Sequence, residues 1–298
     1  MLKFILVASI VILFLIFSIP ILIVEKYVGK KNPEKKNRQS LAIVRFMFRL
    51  ILKVAGIHIT VRGIENIPEE GPALYVGNHR SYFDILVGYT TVPSSLGFMA
   101  KKEMEKIPLL SNWMRNVNCL FLDRENVREG LKTIMDGVDK VKSGTSVWIF
   151  PEGTRNDAGN YLDLMPFKEG SLKIAEKTGC PVVPVAITGT AESFEDHYPK
   201  IRSSQVTIEF GKPFIIPARA PRKAENGTKA AAKEARAQTE AEGREAGEAP
   251  LSQAGQAEVP AKRAVRTLSA EEKKFAGAYT RDVILDMLLK EKRLREGK

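Results

Sequence analysis

Short apolar runs alternate with helix-like segments between residues 56 and 216, and this alternation limits the fold more than any other feature. In the first run, Ile57, Ile59 and Val61 alternate with polar residues, which is typical of a half-buried strand. Further strand-like runs lie at 73–77, 96–100, 119–122, 146–150, 182–187 and 205–210. Candidate helices lie near 84–90, 109–116, 126–142 and 168–178. The pattern predicts an α/β domain over 56–216, with a mostly buried sheet flanked by helices.

A run without charged residues covers residues 4–24 and consists largely of Ile, Leu, Phe and Val. A helix needs about 20 apolar residues to cross a bilayer core, so the run is long enough. A signal peptide would have a shorter apolar region that ends in a small-residue cleavage site. Here the run passes directly into Glu25 and Lys26. We therefore predict a retained transmembrane anchor over residues 1–25.

Positive charge is concentrated in the flanks of the chain. Residues 1–55 carry ten Lys or Arg against two Asp or Glu, whereas residues 56–216 carry 18 against 20. A nucleic-acid-binding protein would be expected to carry its basic surface on the folded domain, so we predict no nucleic-acid partner. Basic flanks beside an apolar run fit an anionic membrane surface better.

The loop after the apolar run predicts its orientation. Six cations follow the run, namely Lys26, Lys30, Lys31, Lys35, Lys36 and Arg38, whereas Lys3 alone precedes it. By the positive-inside rule, the sequence predicts a single-pass membrane protein whose main domain lies on the cytoplasmic side.

Residues 26–55 are predicted to form a basic loop and an amphipathic interfacial helix. Arg45, Arg49 and Lys53 recur every four residues and therefore share one helical face, while the other faces are apolar. This pattern is typical of a helix that directs its cations toward lipid phosphates. A core helix with a solvated polar stripe is the alternative.

The chain after residue 216 divides into two parts. Residues 217–268 lack Phe, Tyr and Trp and are dominated by Ala, Glu, Lys, Arg, Gly and Gln, so we predict a low-complexity linker. Ser269 and Glu272 match a capping box, which predicts a C-terminal helical segment over 269–298. Neither Cys119 nor Cys180 lies in a C-x-x-C spacing, so we expect both thiols to be buried and free.

A histidine and a carboxylate lie five residues apart in N-H-R-S-Y-F-D, residues 78–84. If His79 lies in a turn before a helix and Asp84 in its first turn, the carboxylate can accept a proton from one imidazole nitrogen. The other nitrogen then stays basic and can deprotonate a hydroxyl group. Taken alone, this spacing is more often a coincidence.

A second segment, F-P-E-G-T-R at 150–155, follows another strand-like run. Pro151 ends the strand, Gly153 permits a tight turn, and Arg155 is suited to bidentate binding of a phosphate. An ordinary exposed turn with a solvated Glu and Arg is the alternative.

In this order, the two segments resemble the hallmark motifs of glycerolipid acyltransferases of the 1-acylglycerol-3-phosphate acyltransferase type. Two further blocks are similar to the family pattern: F-L-D-R at 121–124 and V-P-V-A-I at 183–187. The first of these blocks usually opens with Gly, and the corresponding residue here is Asn118. The resemblance covers about residues 40–216.

The resemblance implies transfer of a fatty acyl group from a thioester to the sn-2 hydroxyl of 1-acylglycerol 3-phosphate, which gives phosphatidic acid. It assigns proton transfer to His79, with Asp84 orienting the imidazole. It also implies that Arg155 and Arg124, assisted by Lys101, bind the phosphate of the acceptor.

The same resemblance makes Glu152, Gly153 and Thr154 substrate-binding residues, with Glu152 contacting the glycerol part or orienting Arg155. Backbone N–H groups near the helix after His79 are candidates for stabilising the oxyanion.

The expected partners are lysophosphatidic acid, membrane lipid, and acyl-CoA or an acyl carrier protein as the thioester co-substrate. We predict no bound cofactor and no metal site. Three alternatives stay open: an acyltransferase for glycerol 3-phosphate or another lysophospholipid, a thioester hydrolase, and a non-catalytic membrane tether.

Overall fold

A computed structural model describes residues 1–218 and 265–297. Most of the predicted linker, residues 219–264, therefore lies outside the described residues. The strands within the described ranges are β1 (Ile57–Arg62), β2 (Leu74–Gly77), β3 (Leu96–Lys101), β4 (Leu120–Leu122), β5 (Ser146–Ile149), β6 (Val182–Thr188), β7 (Ser204–Phe210), β8 (Phe214–Ile215) and β9 (Arg266–Thr267).

The helices lie before β1, between the strands and after β9. They are α1 (Leu2–Phe17), α2 (Ile19–Lys31), α3 (Pro33–Ala55), α4 (Phe83–Thr91), α5 (Leu110–Asn116), α6 (Val127–Lys142), α7 (Lys173–Thr178), α8 (Ala270–Lys274) and α9 (Ala276–Arg295). Every strand and helix predicted between 56 and 216 is present, although the segment 168–178 is a 3-10 turn over Glu169–Leu172 followed by α7.

The strands form one sheet in the order β1-β7-β6-β2-β5-β3-β4, with β8 paired to β6 and β9 to β8. Strands β6, β2, β5, β3 and β4 run parallel to one another, whereas β7 is antiparallel to β6. The carboxyl ends of the five parallel strands therefore meet at one edge, which we call the carboxyl edge. Ligands of open α/β sheets bind outside this edge.

Both faces of the sheet are buried, as expected for parallel strands. Alternate residues of β2 enter different apolar clusters: Leu74 and Val76 face α6, α7 and α9, whereas Tyr75 faces the cluster that includes residues of α3 and α4. On that second side, Trp148 stacks on Tyr75 at 5.5 Å and on Phe98 at 5.2 Å between ring centroids. The predicted α/β fold with a buried sheet is confirmed.

Helix α3 packs into the core instead of presenting all its cations to the outside. Leu41, Val44 and Leu52 are buried. The Arg45 guanidinium donates to the carbonyl oxygens of Tyr89, Val92 and Ser94 at 2.6–2.9 Å. The expectation that Arg45 faces lipid phosphates is therefore wrong, because this side chain binds carbonyl groups at the end of α4.

Among the described helices, none is both long and apolar enough to cross a bilayer by itself, whereas α1 and α2 meet that requirement together but are bent by 52°. The single spanning helix predicted over residues 1–25 is therefore not confirmed. Pro20 lies in the first turn of α2 and has no N–H to donate to the preceding turn, which favours a bend there. At the junction, the buried Ser18 hydroxyl accepts the Trp113 Nε1–H at 2.8 Å.

The C-terminal segment is tied to the main domain as its sequence predicts. Ser269 and Glu272 form the predicted capping box at the start of α8. On α9, the buried Glu291 accepts the Thr207 hydroxyl at 2.8 Å and forms an ion pair with Arg62. The two cysteines are buried and free.

Candidate active site

The loop after β2 is anchored to its neighbouring strand by Asn78. Its side-chain Nδ2–H₂ donates to the Ile187 carbonyl at 2.9 Å, and its Oδ1 accepts the Ile187 N–H at 2.8 Å. This two-point contact with β6 places the next residue, His79, directly at the carboxyl edge.

Asp84 lies in the first turn of α4 and is 1 % exposed. Its Oδ2 lies 2.9 Å from His79 Nδ1 and accepts the N–H groups of Arg80 and Ser81 at 2.8 Å each. Its Oδ1 accepts the Thr190 hydroxyl at 2.6 Å. Since all these partners donate to the carboxylate, Nδ1 carries the imidazole proton and Nε2 carries the free lone pair. The expected contact between His79 and Asp84 is present.

The imidazole is also held by its ring face. Phe150 stacks on His79 with 4.0 Å between the ring centroids and 11° between the planes. The His79 side chain is 13 % exposed. The ring therefore has one fixed orientation and stays partly accessible from outside.

The F-P-E-G-T-R loop holds the backbone of His79. Glu152 Oε1 accepts the His79 N–H at 2.8 Å, and the Asn156 N–H donates to the His79 carbonyl at 2.7 Å. Glu152 Oε2 accepts the Met165 N–H at 3.2 Å. The two sequence motifs therefore form one hydrogen-bonded unit.

Glu152 was expected to contact the glycerol part of the acceptor or to orient Arg155. In the structure its carboxylate instead contacts the backbone of the His79 loop. Glu152 is 3 % exposed and is occupied by the backbone groups of His79 and Met165. Burial raises the pKa of the Glu152 carboxyl, and these N–H donors offset part of that rise. Its position makes Glu152 a support for the His79 loop.

Gly153 forms the predicted tight turn, with a φ of 84° and an N–H that donates to the Phe150 carbonyl at 3.0 Å. A Cβ at this position would lie 2.8 Å from Lys168 Nζ. Lys168 is thus a cation beside the turn that sequence reasoning missed, since it was predicted only as the start of a helix and lies outside the recognised blocks. Thr154, the next residue, is exposed.

Arg155 lies over the Tyr82 ring, with its Cζ 3.8 Å from the ring centroid. Its Nη1 lies 3.2 Å from Glu195 Oε1, which also accepts the Tyr82 N–H at 2.9 Å. The Arg155 side chain is 37 % exposed. Arg155 is therefore held beside the His79 helix and stays accessible to an anion.

Sequence reasoning missed Tyr82, Glu195 and Thr190 as parts of this site. Glu195 and Thr190 lie after β6, in a segment of short 3-10 turns that has no regular period. In the sequence, the position of Gly189 and Thr190 directly after a buried strand could have indicated that Thr190 lies at the carboxyl edge.

Lys101 and Arg124 lie at the same edge but farther along it. Lys101 ends β3 and Arg124 follows β4, which are two and three strands away from β2. At about 4.8 Å per strand, these offsets are about 10 and 14 Å. Lys101 is 59 % exposed and pairs with Glu103 at 3.2 Å. Arg124 is exposed and makes no hydrogen bond or ion pair within the described ranges.

The turn before β4 keeps its left-handed geometry without glycine. Asn118 has a φ of 60°, a conformation that Asn tolerates better than most residues. The Lys140 Nζ donates to Asn118 Oδ1 at 2.7 Å and holds the side chain in place. The F-L-D-R block therefore keeps its position although the usual Gly is absent.

The N–H groups after His79 are not available to an oxyanion, contrary to expectation. The Arg80 and Ser81 N–H groups bind Asp84. The Tyr82 N–H binds Glu195, and the Phe83 N–H binds the Ser81 hydroxyl at 3.0 Å. Over residues 1–218 and 265–297, no group of three or more His, Cys, Asp or Glu side chains is arranged to hold a metal ion.

Comparisons with known proteins agree with this geometry. The family described as Acyltransferase matches residues 58–188, which contain both motif segments. Over this range the chain is similar to acyltransferases. It is 33% identical over 157 residues to a 1-acyl-sn-glycerol-3-phosphate acyltransferase from Borreliella burgdorferi, covering 53% of this chain and 62% of the relative. It is 30% identical over 168 residues to the alpha form of that enzyme from Homo sapiens, covering 55% of this chain and 56% of the relative.

A solved acyltransferase structure has a similar fold. The 1-acyl-sn-glycerophosphate (LPA) acyltransferase PlsC from Thermotoga maritima superimposes with a TM-score of 0.59 at 26% identity. The match covers 83% of this chain and 97% of that structure. The chain spans little more than half the length of the curated relatives that it matches.

Proposed function

We propose that this chain is a membrane-bound acyltransferase that acylates the sn-2 hydroxyl of 1-acylglycerol 3-phosphate and so forms phosphatidic acid. The observation that carries the proposal is the buried Asp84 carboxylate 2.9 Å from His79 Nδ1, which leaves Nε2 free at the carboxyl edge. The names of the relatives favour this acceptor.

In the proposed reaction, His79 Nε2 takes the proton from the acceptor hydroxyl while its oxygen attacks the thioester carbonyl. The negative charge of Asp84 stabilises the imidazolium that forms. When the tetrahedral intermediate collapses, the C–S bond breaks and the imidazolium returns the proton to the leaving thiolate. General-base catalysis of this kind contributes about 10²- to 10⁴-fold in rate.

Cations at the carboxyl edge would hold the phosphate of the acceptor. Arg155 packs against the ring of Tyr82, which is three residues after His79 in the chain. The Arg155 guanidinium suits bidentate binding of a phosphate. Lys101, Arg124 and Lys168 extend the positive surface along the edge and around the Gly153 turn. The N–H groups of Thr154 and Arg155 have no partner in the described part of the chain and are candidate donors for the oxyanion.

The donor in this proposal is acyl-CoA or an acyl carrier protein thioester, and the reaction uses no bound cofactor or metal. The apolar residues of α1 and α2 would bind the membrane, with the catalytic domain on the cytoplasmic side. Phe17, for example, is 73 % exposed and Val24 is 58 % exposed. Such side chains gain free energy when lipid covers them.

The full-length chain, purified and offered labelled acyl-CoA with different acceptors, tests the proposal. We expect label in phosphatidic acid with 1-acylglycerol 3-phosphate, and much less product with glycerol 3-phosphate or a lysophosphatidylcholine. Coenzyme A release at the same rate without any acceptor would instead identify a thioester hydrolase. Preference for another acceptor would contradict the proposed substrate.

A further inference from the structure

A cavity of about 270 Å³ lies where α2, the first turns of α3 and α5 meet. Lys26, Lys30 and Lys36 contribute cations to its wall, Asn112 and Asn116 contribute amides, and Leu22 contributes an apolar side. Three cations and two amides that line one cavity form an environment suited to an anion with several oxygen atoms.

The ammonium groups of these lysines have no anionic partner in an ion pair. Over residues 1–218 and 265–297, none of the three forms an ion pair or a side-chain hydrogen bond, and Lys30 lies 5.7 Å from the Tyr27 ring centroid. Glu25 on α2 is buried and provides one negative charge nearby. Burial lowers the pKa of Lys140 on α6, and the positive charge of Lys36 lowers it further. The region therefore carries excess positive charge.

The stem of Lys36 is placed by a glycine. A Cβ built on Gly29 would lie 2.6 Å from Lys36 Cδ, so the stem of this lysine lies directly against the backbone of α2.

The surroundings favour a lipid over a small soluble anion. Ile23, Val24 and Tyr27 on α2 are 53 %, 58 % and 64 % exposed. A soluble phosphate has no use for such side chains. A phospholipid can place its phosphate among the lysines and its acyl chains against the apolar side of the helix.

The cavity lies away from His79. The Asn37 side chain donates to the Asn116 carbonyl at 3.0 Å, and its Oδ1 accepts the Ser95 hydroxyl at 3.0 Å. Ser95 directly precedes β3. The cavity is therefore close to the amino ends of the parallel strands, whereas His79 lies at the carboxyl edge. Its occupant is not the lipid that is being acylated.

We propose that this cavity binds the phosphate-bearing headgroup of an anionic phospholipid that is not a substrate and that holds α2 on the membrane. The proposal rests on the membrane association of the proposed function. It differs from general attraction of basic residues to a charged surface. In general attraction, every basic residue near the surface contributes equally to binding, whereas in a headgroup site the cavity lysines contribute more than other basic residues of the same charge.

A matched pair of triple variants separates these two effects. Lys26→Gln, Lys30→Gln and Lys36→Gln remove three charges from the cavity. Lys31→Gln, Lys35→Gln and Arg38→Gln remove three charges from the same segment outside it. Binding of full-length protein to phosphatidylglycerol-containing vesicles, relative to phosphatidylcholine vesicles, is measured by flotation.

Both triple variants should bind anionic vesicles more weakly than the wild type, since each basic residue near the surface contributes to binding. We expect the cavity variant to lose at least about 10-fold more than the control variant. At 1 M salt, where the Debye length is about 3 Å, the wild type should keep a preference for phosphatidylglycerol that the cavity variant lacks. Equal losses in the two variants would overturn the proposal.

A third variant changes the cavity without changing the charge. Gly29→Ala should displace the Lys36 stem, because its Cβ would lie 2.6 Å from Lys36 Cδ, and weaken the preference for anionic vesicles by about 3-fold. An unchanged preference would count against the site. If inorganic phosphate raises the unfolding temperature of the wild type but not of the cavity variant and abolishes the vesicle preference, the site serves a soluble anion and the lipid proposal fails.

Acyl transfer to detergent-dispersed substrate is measured on the same preparations. The cavity variant should keep full activity there, since its changes lie away from His79. Loss of the vesicle preference with retained activity supports the headgroup site. If the wild type binds vesicles but transfers no acyl group, the proposed acyltransferase activity is contradicted. The vesicle binding of the variants would still test the headgroup site.

Discussion

The carboxyl edge of the sheet and the N-terminal helix pair are organised in opposite ways. At the carboxyl edge, two buried carboxylates are hydrogen-bonded within the chain: Asp84 accepts four hydrogen bonds, and Glu152 accepts the N–H groups of His79 and Met165. Along α1 and α2, apolar side chains such as Phe17 and Ile23 are exposed. These carboxylates find their partners within the chain, whereas in the proposed function lipid covers the exposed side chains of α1 and α2.

This difference determines how each region should respond to substitution. Both carboxylate oxygens of Asp84 and of Glu152 already accept hydrogen bonds, so a change to either side chain leaves a buried donor to be satisfied again. At the bend of the helix pair, the Ser18 hydroxyl accepts the Nε1–H of Trp113 on α5. Changes there should alter stability modestly and leave the chemistry intact.

The largest expected effect comes from Asp84→Asn. The asparagine amide can turn its NH₂ toward the Thr190 hydroxyl, which can accept as well as donate, so the fold should survive. The charge that stabilises imidazolium is lost, and kcat should fall about 10²- to 10⁴-fold. Turnover and thermal unfolding are measured on the same preparation. A kcat within about 3-fold of wild type would show that the Asp84 charge does not stabilise the imidazolium during turnover.

Glu152→Gln should affect both stability and rate. Each carboxylate oxygen accepts one backbone N–H, so the NH₂ of Gln must face either the His79 or the Met165 N–H. A buried donor left without an acceptor costs about 1–3 kcal/mol. Chemical denaturation measures the free energy of unfolding, and turnover should fall as the His79 loop shifts. Wild-type stability together with wild-type rate would show that the loop does not depend on Glu152.

Ser18→Ala should give the smallest effect, at the helix bend. It leaves the buried Trp113 Nε1–H without its acceptor, so we expect a loss of about 1 kcal/mol in the free energy of unfolding and no change in kcat on dispersed substrate. Ser9→Ala is the control, because Ser9 is exposed on α1 and should change stability by less than about 0.5 kcal/mol. Equal results for the two serines would contradict a stabilising role for the Ser18–Trp113 hydrogen bond.

The fold between 56 and 216 could be predicted from the sequence because its strands are short apolar runs and its helices are amphipathic. The contact between His79 and Asp84 could also be predicted, since a turn followed by a helix leaves few positions for the carboxylate. These features depend on residues close together in the chain.

The rest depended on contacts between distant segments. Thr190 and Glu195 reach the site from the region after β6, and nothing in their local pattern indicates it. Glu152 lies in a recognised motif, but its role as a backbone acceptor follows from burial against His79. Arg45 lies on a predicted lipid-facing stripe, yet the carbonyl groups at the end of α4 bind it. The bend at Ser18 could not be predicted, because amino-acid composition does not distinguish one long apolar helix from two shorter ones.

The central claim is that His79 Nε2 is the base that activates the acceptor hydroxyl. The most direct test compares acceptor-dependent coenzyme A release by the wild type, His79→Ala and His58→Ala, where His58 is an exposed histidine on β1. We predict that His79→Ala lowers the rate about 10²- to 10⁴-fold with the protein still folded, while His58→Ala stays at the wild-type rate. A folded His79→Ala variant that keeps more than about a tenth of the wild-type rate would contradict the claim.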